Sequence, residues 1–329
     1  MHESLVPPEN IDDYTPQEAQ EFRTERNVVE GLRQLGHEVQ PLGLLDELGP
    51  LSRAIEEFKP HVVFNLLEEF RGITAFDYHV VAYLELHGVA YTGCNPRGLL
   101  LARDKAISKK IVHYHRIRTP RFVAFSRRRK VRRPRWLEFP LIVKSLVEEA
   151  SFGIAQASVV YDDEAFAERV QFIHERVRTD AIAEQFVEGR ELYSAVLGNL
   201  QLNVLPTWEL FLDGMPDDAL RIATRKAKWD LAYQKKHGID HGRARRLGDP
   251  LERRIADTSR RICRRLGIDG YARIDFRLAE NGDLYFLEAN PNPDIAAGEE
   301  FASAAEAAGL TYNALLQRIV SLGERRSAP

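Results

Sequence analysis

Asp275 and Glu288 are the residues whose spacing most directly suggests chemistry. The chain between them, Phe276 to Leu287, reads as two strands closed on Asn281-Gly282. A two-residue Asn-Gly loop favours a type I′ turn and fixes the register, so Glu280 should pair with Asp283, Arg277 with Phe286 and Asp275 with Glu288. Cross-strand Cβ atoms lie roughly 4.5 to 5.5 Å apart, a separation at which two carboxylates destabilise the sheet unless something neutralises them. A divalent cation would do so. The same register sets Arg273 opposite Asn290, on the carboxylates' face, because residues i and i+2 of a strand point the same way. A solvated hairpin face is the plainer reading, and the hydrophobic neighbours argue against it.

Two carboxylates and an amide oxygen are hard ligands, suited to Mg²⁺ or Mn²⁺ held jointly with phosphate oxygens. Histidine and cysteine are absent from the set, which favours nucleotide chemistry over zinc hydrolysis. Phosphoryl transfer also needs cations aimed at the phosphates, since its catalysis is mostly positioning and charge stabilisation. Lys105, Lys144, Lys228 and Arg273 are available. Singly, each lysine reads more readily as a surface residue, but Lys144 closes the apolar strand Phe139–Lys144, a poor place for a purely solvated charge.

The elements that must position these residues begin with an α/β pattern. Gln17 to Leu35 is amphipathic, Gly36 to Val39 looks like a strand entered from a helix capped by Gly36, His61 to Leu66 is a short buried strand, and Phe76 to His87 is helical. Parallel strands are expected there. Met1 to Pro8 reads as the loop following a first strand, which is then either lost or encoded upstream of this start. A helix runs from Asp104 to His115, and strands follow at 121–125, 139–144, 155–160, 181–186 and 192–197, with a helix over 162–178. Between residues 148 and 153 lies a small-residue loop. Its strand–loop–strand setting differs from that of a Rossmann or Walker loop. Residues 213 to 249 form a long polar stretch of the kind used as a lid. A basic amphipathic helix over 250–266, the hairpin, and a helical segment over 301–322 complete the chain.

With 329 residues and 44% hydrophobic content the chain fits a soluble globular protein of about two or three domains. A net charge of -3 gives no reason for overall binding to nucleic acid or an anionic membrane. Residues 126 to 135 depart locally, with basic side chains and no acid; such a block is usually a solvated surface, with an acidic partner or nucleic acid as the alternative. Cys94 and Cys263 form no disulfide or zinc pattern, so a reducing cytoplasm is the expected home. No apolar run reaches the ~18 to 20 residues of a membrane span, and no signal peptide is evident.

In order along the chain stand Asp104-Lys105, Val143-Lys144 with the small-residue loop, Glu184-Gln185-Phe186-Val187 with Glu191, Arg273-Ile274-Asp275, and Glu288-Ala289-Asn290-Pro291-Asn292-Pro293. This set resembles the ATP-grasp enzymes, and within them the D-alanine–D-alanine ligase branch, from about Val62 onward. The resemblance implies an α/β (α+β) ATP-grasp fold: a Rossmann-like parallel-sheet pre-ATP-grasp domain over 1–102, a small central subdomain over 103–190, and a C-terminal subdomain with lid and metal hairpin over 191–329. It implies ATP as co-substrate, with Lys105 and Lys144 on its phosphates, the loop bearing Ser151 and Gly153 folded over them, Glu184, Phe186 and Val187 lining the adenine slot, and Glu191 on the ribose. Lys228 would approach the γ-phosphate, Asp275, Glu288 and Asn290 would hold two Mg²⁺ ions, and Arg273 would stabilise the transferred phosphoryl. In the implied reaction a substrate carboxylate attacks the γ-phosphorus and an amine traps the acyl phosphate, giving an amide or peptide bond, ADP and phosphate.

Departures from the family concern the substrates. Where its first loop carries a glutamate for the donor ammonium, this chain has Glu3-Ser4-Leu5-Val6-Pro7-Pro8. Around Glu68 to Arg71 the family's His-Gly pair is missing. Where the family has glycine after Ser-Pro, then Ser-Leu for the second carboxylate, this chain has Asp294 and Gly298-Glu299-Glu300. An acidic stretch repels a carboxylate, so the acceptor is expected to be a cationic or neutral amine rather than D-alanine. The resulting expectation is a carboxylate–amine ligase acting on small amino-acid or peptide-like substrates; neither a membrane nor nucleic acid is an expected partner, and a homodimer is allowed. The alternative is an ATP-binding regulatory or macromolecule-binding module without ligase turnover.

Overall fold

The computed structural model describes residues 1–10, 14–148, 153–216 and 219–326. Helices α1 (Pro16–Glu21) and α2 (Arg23–Gln34) divide the amphipathic N-terminal stretch at Phe22. Thr15 and Glu18 cap α1 reciprocally, and the break turns the Phe22 ring inward, edge-on to Tyr14 with centroids 5.3 Å apart. Then come α3 (Gly49–Glu57), α4 (Asp77–Leu86), α5 (Pro96–Arg103) and α6 (Lys105–Tyr114). Asp104 separates the last two in extended conformation and caps α6 by accepting from the Ile107 N–H at 2.8 Å. Lys105 and Lys109 therefore sit a turn apart on one face of α6.

The parallel strands expected in this first part reduce, among the described residues, to isolated parallel bridges, His2 with Leu44 and Val63 with Tyr91. Val63 donates to Ala90 O at 2.8 Å and accepts from Thr92 N–H at 2.9 Å, but the next amide, Asn65 N–H, bonds the Thr92 hydroxyl at 3.1 Å instead of a main-chain carbonyl. The ladder stops there. Residues 36–39, expected as a strand, are irregular.

Beyond α6 the strand pairing is antiparallel. β1 (Phe122–Phe125), β2 (Leu141–Ser145), β3 (Val159–Val160) and β4 (Ala181–Gln185) form a sheet in the order β1-β4-β2-β3. The strand expected over 155–160 shortens to β3, behind a 3₁₀ turn at Gln156–Ser158. Helix α7 (Asp163–Phe172) sends Phe166 and Val170, followed by Ile173, into one core with Leu141 and Val143.

The second sheet runs β10-β9-β5-β7-β8, with β6 paired to β5. Its strands are β5 (Arg190–Leu197), β6 (Asn203–Val204), β7 (Trp208–Phe211), β8 (Asp240–Arg243), β9 (Tyr271–Leu278) and β10 (Leu284–Pro291). The polar stretch expected as a lid contains α8 (Arg225–Trp229) and α9 (Leu231–His237), then rejoins the sheet through β8. Helix α10 (Asp249–Leu266) shares a core with Leu192, Ile274 and Phe276 through Ile255, Ile262 and Leu266. The helical C-terminus is divided into α11 (Glu300–Ala307) and α12 (Tyr312–Glu324), with Gly309 at φ +86 between them.

The hairpin joining β9 to β10 corrects the expected turn. Ala279 N–H donates to Asp283 O and Gly282 N–H to Ala279 O, both at 2.9 Å, which makes a three-residue loop with Gly282, not Asn281, in the left-handed region (φ +81). Arg277 consequently faces Tyr285 rather than Phe286. The register shifts back between Phe286 and Glu288, where Leu287 is the extra residue of a bulge, so Glu288 faces Asp275 and Asn290 faces Arg273 as expected. Without that bulge Leu287 would stand opposite Asp275 and Glu288 would turn to the other face.

Candidate active site

Arg273 and Asp275 of β9 and Glu288 and Asn290 of β10 come together on the sheet face. Arg273 grips Asp275 with two bonds, Nε to Oδ1 at 2.8 Å and Nη2 to Oδ2 at 3.0 Å, and Asn290 Nδ2 donates to Asp275 Oδ2 at 3.0 Å. Burial raises the Asp275 carboxyl above the usual range, against the pull of Arg273. Burial acts the same way on Glu288, but Lys105, Lys144, Lys228 and Arg273 outweigh it and hold that carboxyl below the usual range. Among the described residues no group of three or more His, Cys, Asp and Glu forms a metal cluster. The donor set is the pair of facing carboxylates plus one amide, all able to offer oxygen, and it fits a hard divalent cation.

Lys105 of α6 lies 3.3 Å from Glu288 Oε2 and donates to the Glu148 carbonyl at 2.6 Å. Lys144 of β2 lies 3.2 Å from Glu184 Oε1 on the neighbouring strand β4. The other oxygen of Glu184 is 3.2 Å from Lys109, a lysine the sequence reading passed over. Burial lowers the Lys109 ammonium to about 8, with Glu184 opposing. Lys144 moves the other way: burial lowers it, and Glu184 and Glu288 together raise it more. Glu184 Oε1 is buried and accepts no hydrogen bond from the protein, despite the nearby ammonium.

A cleft opens between the sheets, lined by Lys144, Glu184, Phe186, Val187, Glu191 and Lys228 among others, and reaching Asp275 and Glu288. Phe186 and Val187 lie on the connector from β4 to β5, with Phe186 N–H bonded to Pro140 O at 2.9 Å. Glu191 is already engaged, accepting from Tyr193 OH at 3.0 Å and Arg277 Nη2 at 2.9 Å. Arg277 is a second residue the sequence reading missed; it stands two places after Asp275 and so shares its face. Lys228 Nζ and the Arg273 guanidinium both lie over the Tyr193 ring, at 5.2 and 4.7 Å from its centroid. Ser151 lies outside the described residues. Gly153 is at φ +73, and its carbonyl accepts from Arg169. The rim is joined at Gln156, whose side-chain amide bonds Leu220 O at 3.0 Å and Leu220 N–H at 2.9 Å, while Arg225 N–H reaches Ile154 O at 3.1 Å.

Past the metal-type ligands the side chains are acidic and engaged. Asp294 Oδ1 accepts from Thr24 Oγ1 and Ala296 N–H, each at 2.8 Å, and Glu299 pairs with Arg23. Glu300 Oε2 is 3.4 Å from Arg273 Nη1, and although burial would raise its carboxyl, Arg273, Lys228 and His241 lower it. Glu3, by contrast, is exposed, with its N–H on Leu44 O at 3.1 Å. Asn292 adopts φ +55 and accepts from Cys94 N–H at 2.7 Å, with its amide packed on Gly93.

The family described as D-ala D-ala ligase C-terminus matches residues 108–321, more than half the chain. The chain belongs to the D-alanine–D-alanine ligase family. An uncharacterised protein of Sinorhizobium fredii is 31% identical over 94% of this chain and 90% of its own length. A D-alanine–D-alanine ligase of Aquifex aeolicus is 29% identical, covering 91% of this chain and 94% of its own. In fold the chain matches a D-alanine–D-alanine ligase from Bacillus anthracis, solved in complex with ATP, at a TM-score of 0.73 and 22% identity over 94% of each chain. It also matches the VanG D-Ala:D-Ser ligase of Enterococcus faecalis at a TM-score of 0.69 and 20% identity, covering 94% of this chain and 96% of that one.

Membership in this family makes the chain an ATP-grasp ligase, and its helices and antiparallel sheets match the ATP-grasp fold that the resemblance implied. No described helix is long and apolar enough to cross a membrane. The basic segment is a surface feature: Arg127 bonds Arg178 O at 2.6 Å, Arg133 pairs with Asp163 at 2.7 Å, and Arg128, Arg129, Lys130, Arg132 and Arg135 are exposed.

Proposed function

We propose that this member of the family is an ATP-dependent carboxylate–amine ligase whose acceptor is a cationic or neutral amine rather than D-alanine. The observation that carries the reading is the Arg273 guanidinium, held between Asp275 and Glu300. A cation at that place is where an acceptor carboxylate would be drawn, and Glu300 already neutralises it. Asp294 adds negative charge on the same side: burial raises the carboxyl of Glu299, which is itself paired with Arg23, and Asp294 is close enough to raise it further.

In this reading ATP occupies the cleft, with the purine against Phe186, Val187 and Glu184, the ribose near Glu191, and the phosphates facing Lys105, Lys144 and Lys228. Asp275, Glu288 and Asn290 would hold Mg²⁺, which supplies charge neutralisation at the phosphates. Arg273 and Lys228 stabilise the negative charge that builds on the transferred phosphoryl, and their shared ring, Tyr193, fixes their directions. The seam between residues 154–156 and 220–225 shields the acyl phosphate from water. Domains divided near residues 102 and 190 belong to the same proposal.

Incubation with ATP, Mg²⁺ and pooled carboxylic acids and amines, following ADP release, tests the reading. Release that requires an amine lacking an α-carboxylate supports it. D-alanine acting as the best acceptor would overturn the acceptor assignment, and ATP binding without amine-dependent release would leave a nucleotide-binding module instead.

A further inference from the structure

Lys109 lies outside the cleft lining yet connects both of its charged sides. It is fully buried on α6, one turn beyond Lys105. Its ammonium has three acceptors within reach: Leu287 O at 2.6 Å, Phe286 O at 3.3 Å and Glu184 Oε2 at 3.2 Å. Those match the three protons of a lysine ammonium, and the Phe286 ring lies against it, 5.5 Å to the centroid. An ammonium in such a place is a strongly determined feature, because burial without full satisfaction is unfavourable.

The acceptors are not incidental. Phe286 and Leu287 are the peptide units at which β10 changes register, the change that turns Glu288 toward Asp275. Glu184 is the carboxylate that meets Lys144 on the opposite sheet. From these contacts we infer that Lys109 is a positioning residue: it stabilises the Leu287 bulge, keeping Glu288 on the metal-binding face, and through Glu184 fixes where Lys144 presents its charge. Removing the ammonium leaves the bulge carbonyls without their donor and favours the regular ladder, in which Leu287 replaces Glu288 opposite Asp275. Glu184, with Lys144 as its remaining cation, then draws that lysine away from the cleft.

This inference rests on the ligase reading for its kinetic consequence, but its structural consequence can be measured separately. Lys109→Met is compared with wild type and with Lys109→Met/Glu184→Gln, which removes the buried carboxylate that has lost one of its two cations and protects the fold. Hydrogen exchange of the β10 amides from Glu288 to Asn290 reads the strand pairing without nucleotide. Faster exchange there in both variants, with α12 unchanged, is expected. In ADP-release assays of Lys109→Met the Mg²⁺ concentration for half activation should rise by about 10- to 100-fold, the range for residues that orient metal ligands. Folded variants with wild-type β10 exchange and wild-type Mg²⁺ requirement would show Lys109 to be a packing residue only and overturn the inference. A wild type that releases no ADP with any amine defeats the ligase reading, and the exchange result still decides the role of Lys109.

Discussion

Glu300 shares the Arg273 guanidinium with Asp275, its Oε2 lying 3.4 Å from Nη1 on the side away from the Nε bond. The cation is therefore neutralised from two directions before a substrate arrives. Replacing Glu299→Ser together with Glu300→Leu should free it for an acceptor carboxylate. The kcat/KM for D-alanine as acceptor is expected to rise by about a hundredfold, equivalent to roughly 3 kcal/mol of relieved like-charge repulsion. Steady-state ADP release with D-alanine and with an uncharged amine measures it; equal effects on the two acceptors would count against the assignment.

Glu288→Gln should reduce turnover by about 10²- to 10³-fold, since a single well-placed electrostatic group at such a site contributes on this scale. The side chain stays similar in size and can still accept from Lys105, but the loss of its charge beside Lys105, Lys144, Lys228 and Arg273 should lower the melting temperature, so turnover is compared on the folded variant. Wild-type rates would remove Glu288 from the proposed metal site.

Glu25 provides a pH dependence. Burial pushes its carboxyl up to about 7, with its own backbone N–H and the Met1 amine opposing and Asp294 reinforcing. A raised folded-state pKa means the folded protein holds the proton more tightly. The associated stability is thus complete below the ordinary carboxyl range near 4.5 and is lost as pH rises through about 7. Glu25→Gln should be close to neutral at pH 4 and more stable than wild type by roughly 2–3 kcal/mol at pH 8. Urea unfolding at the two pH values checks the sign.

Gly93→Ala should destabilise the protein by more than about 1–2 kcal/mol, the cost of a left-handed backbone for an L residue alone. Gly93 is at φ +89, and an added Cβ would lie 2.5 Å from Asn292 Oδ1, the atom that accepts from Cys94 N–H. The melting temperature reports the loss. A raised Mg²⁺ requirement should accompany it, because Asn292 is the first residue beyond β10 and Asn290 lies two residues before it, within the strand.

Local periodicity made much of the fold legible: α4, α6, α7 and α10 lie close to where the apolar spacing puts them. The pairing of Asp275 with Glu288 could be read as well, though for an incomplete reason. The Asn-Gly signal misplaced the turn by one residue, and the bulge at Leu287 compensated. Nothing near Leu287 announces a bulge, because its stabilising partner is Lys109, 178 positions away in sequence. The same distance hid Lys109 itself, although its spacing of four from Lys105 on a helix was a usable signal. In the N-terminal part the strands were over-read, since Asn65 gives its amide to a threonine hydroxyl and local sequence does not reveal such a substitution.

The seam at Gln156 has a consequence for how the two rims can vary. Its carboxamide acts as a surrogate peptide group, accepting one main-chain bond and donating the other to the same residue, Leu220. The identity of side chain 220 is irrelevant to those bonds, so that rim is free to drift, with proline excluded because it lacks the N–H. The opposite rim has no such freedom. Only a glutamine at 156, or another side chain combining donor and acceptor at the same reach, keeps both bonds, whereas the neighbouring Arg225 N–H bond to Ile154 O is indifferent to the side chain on either rim.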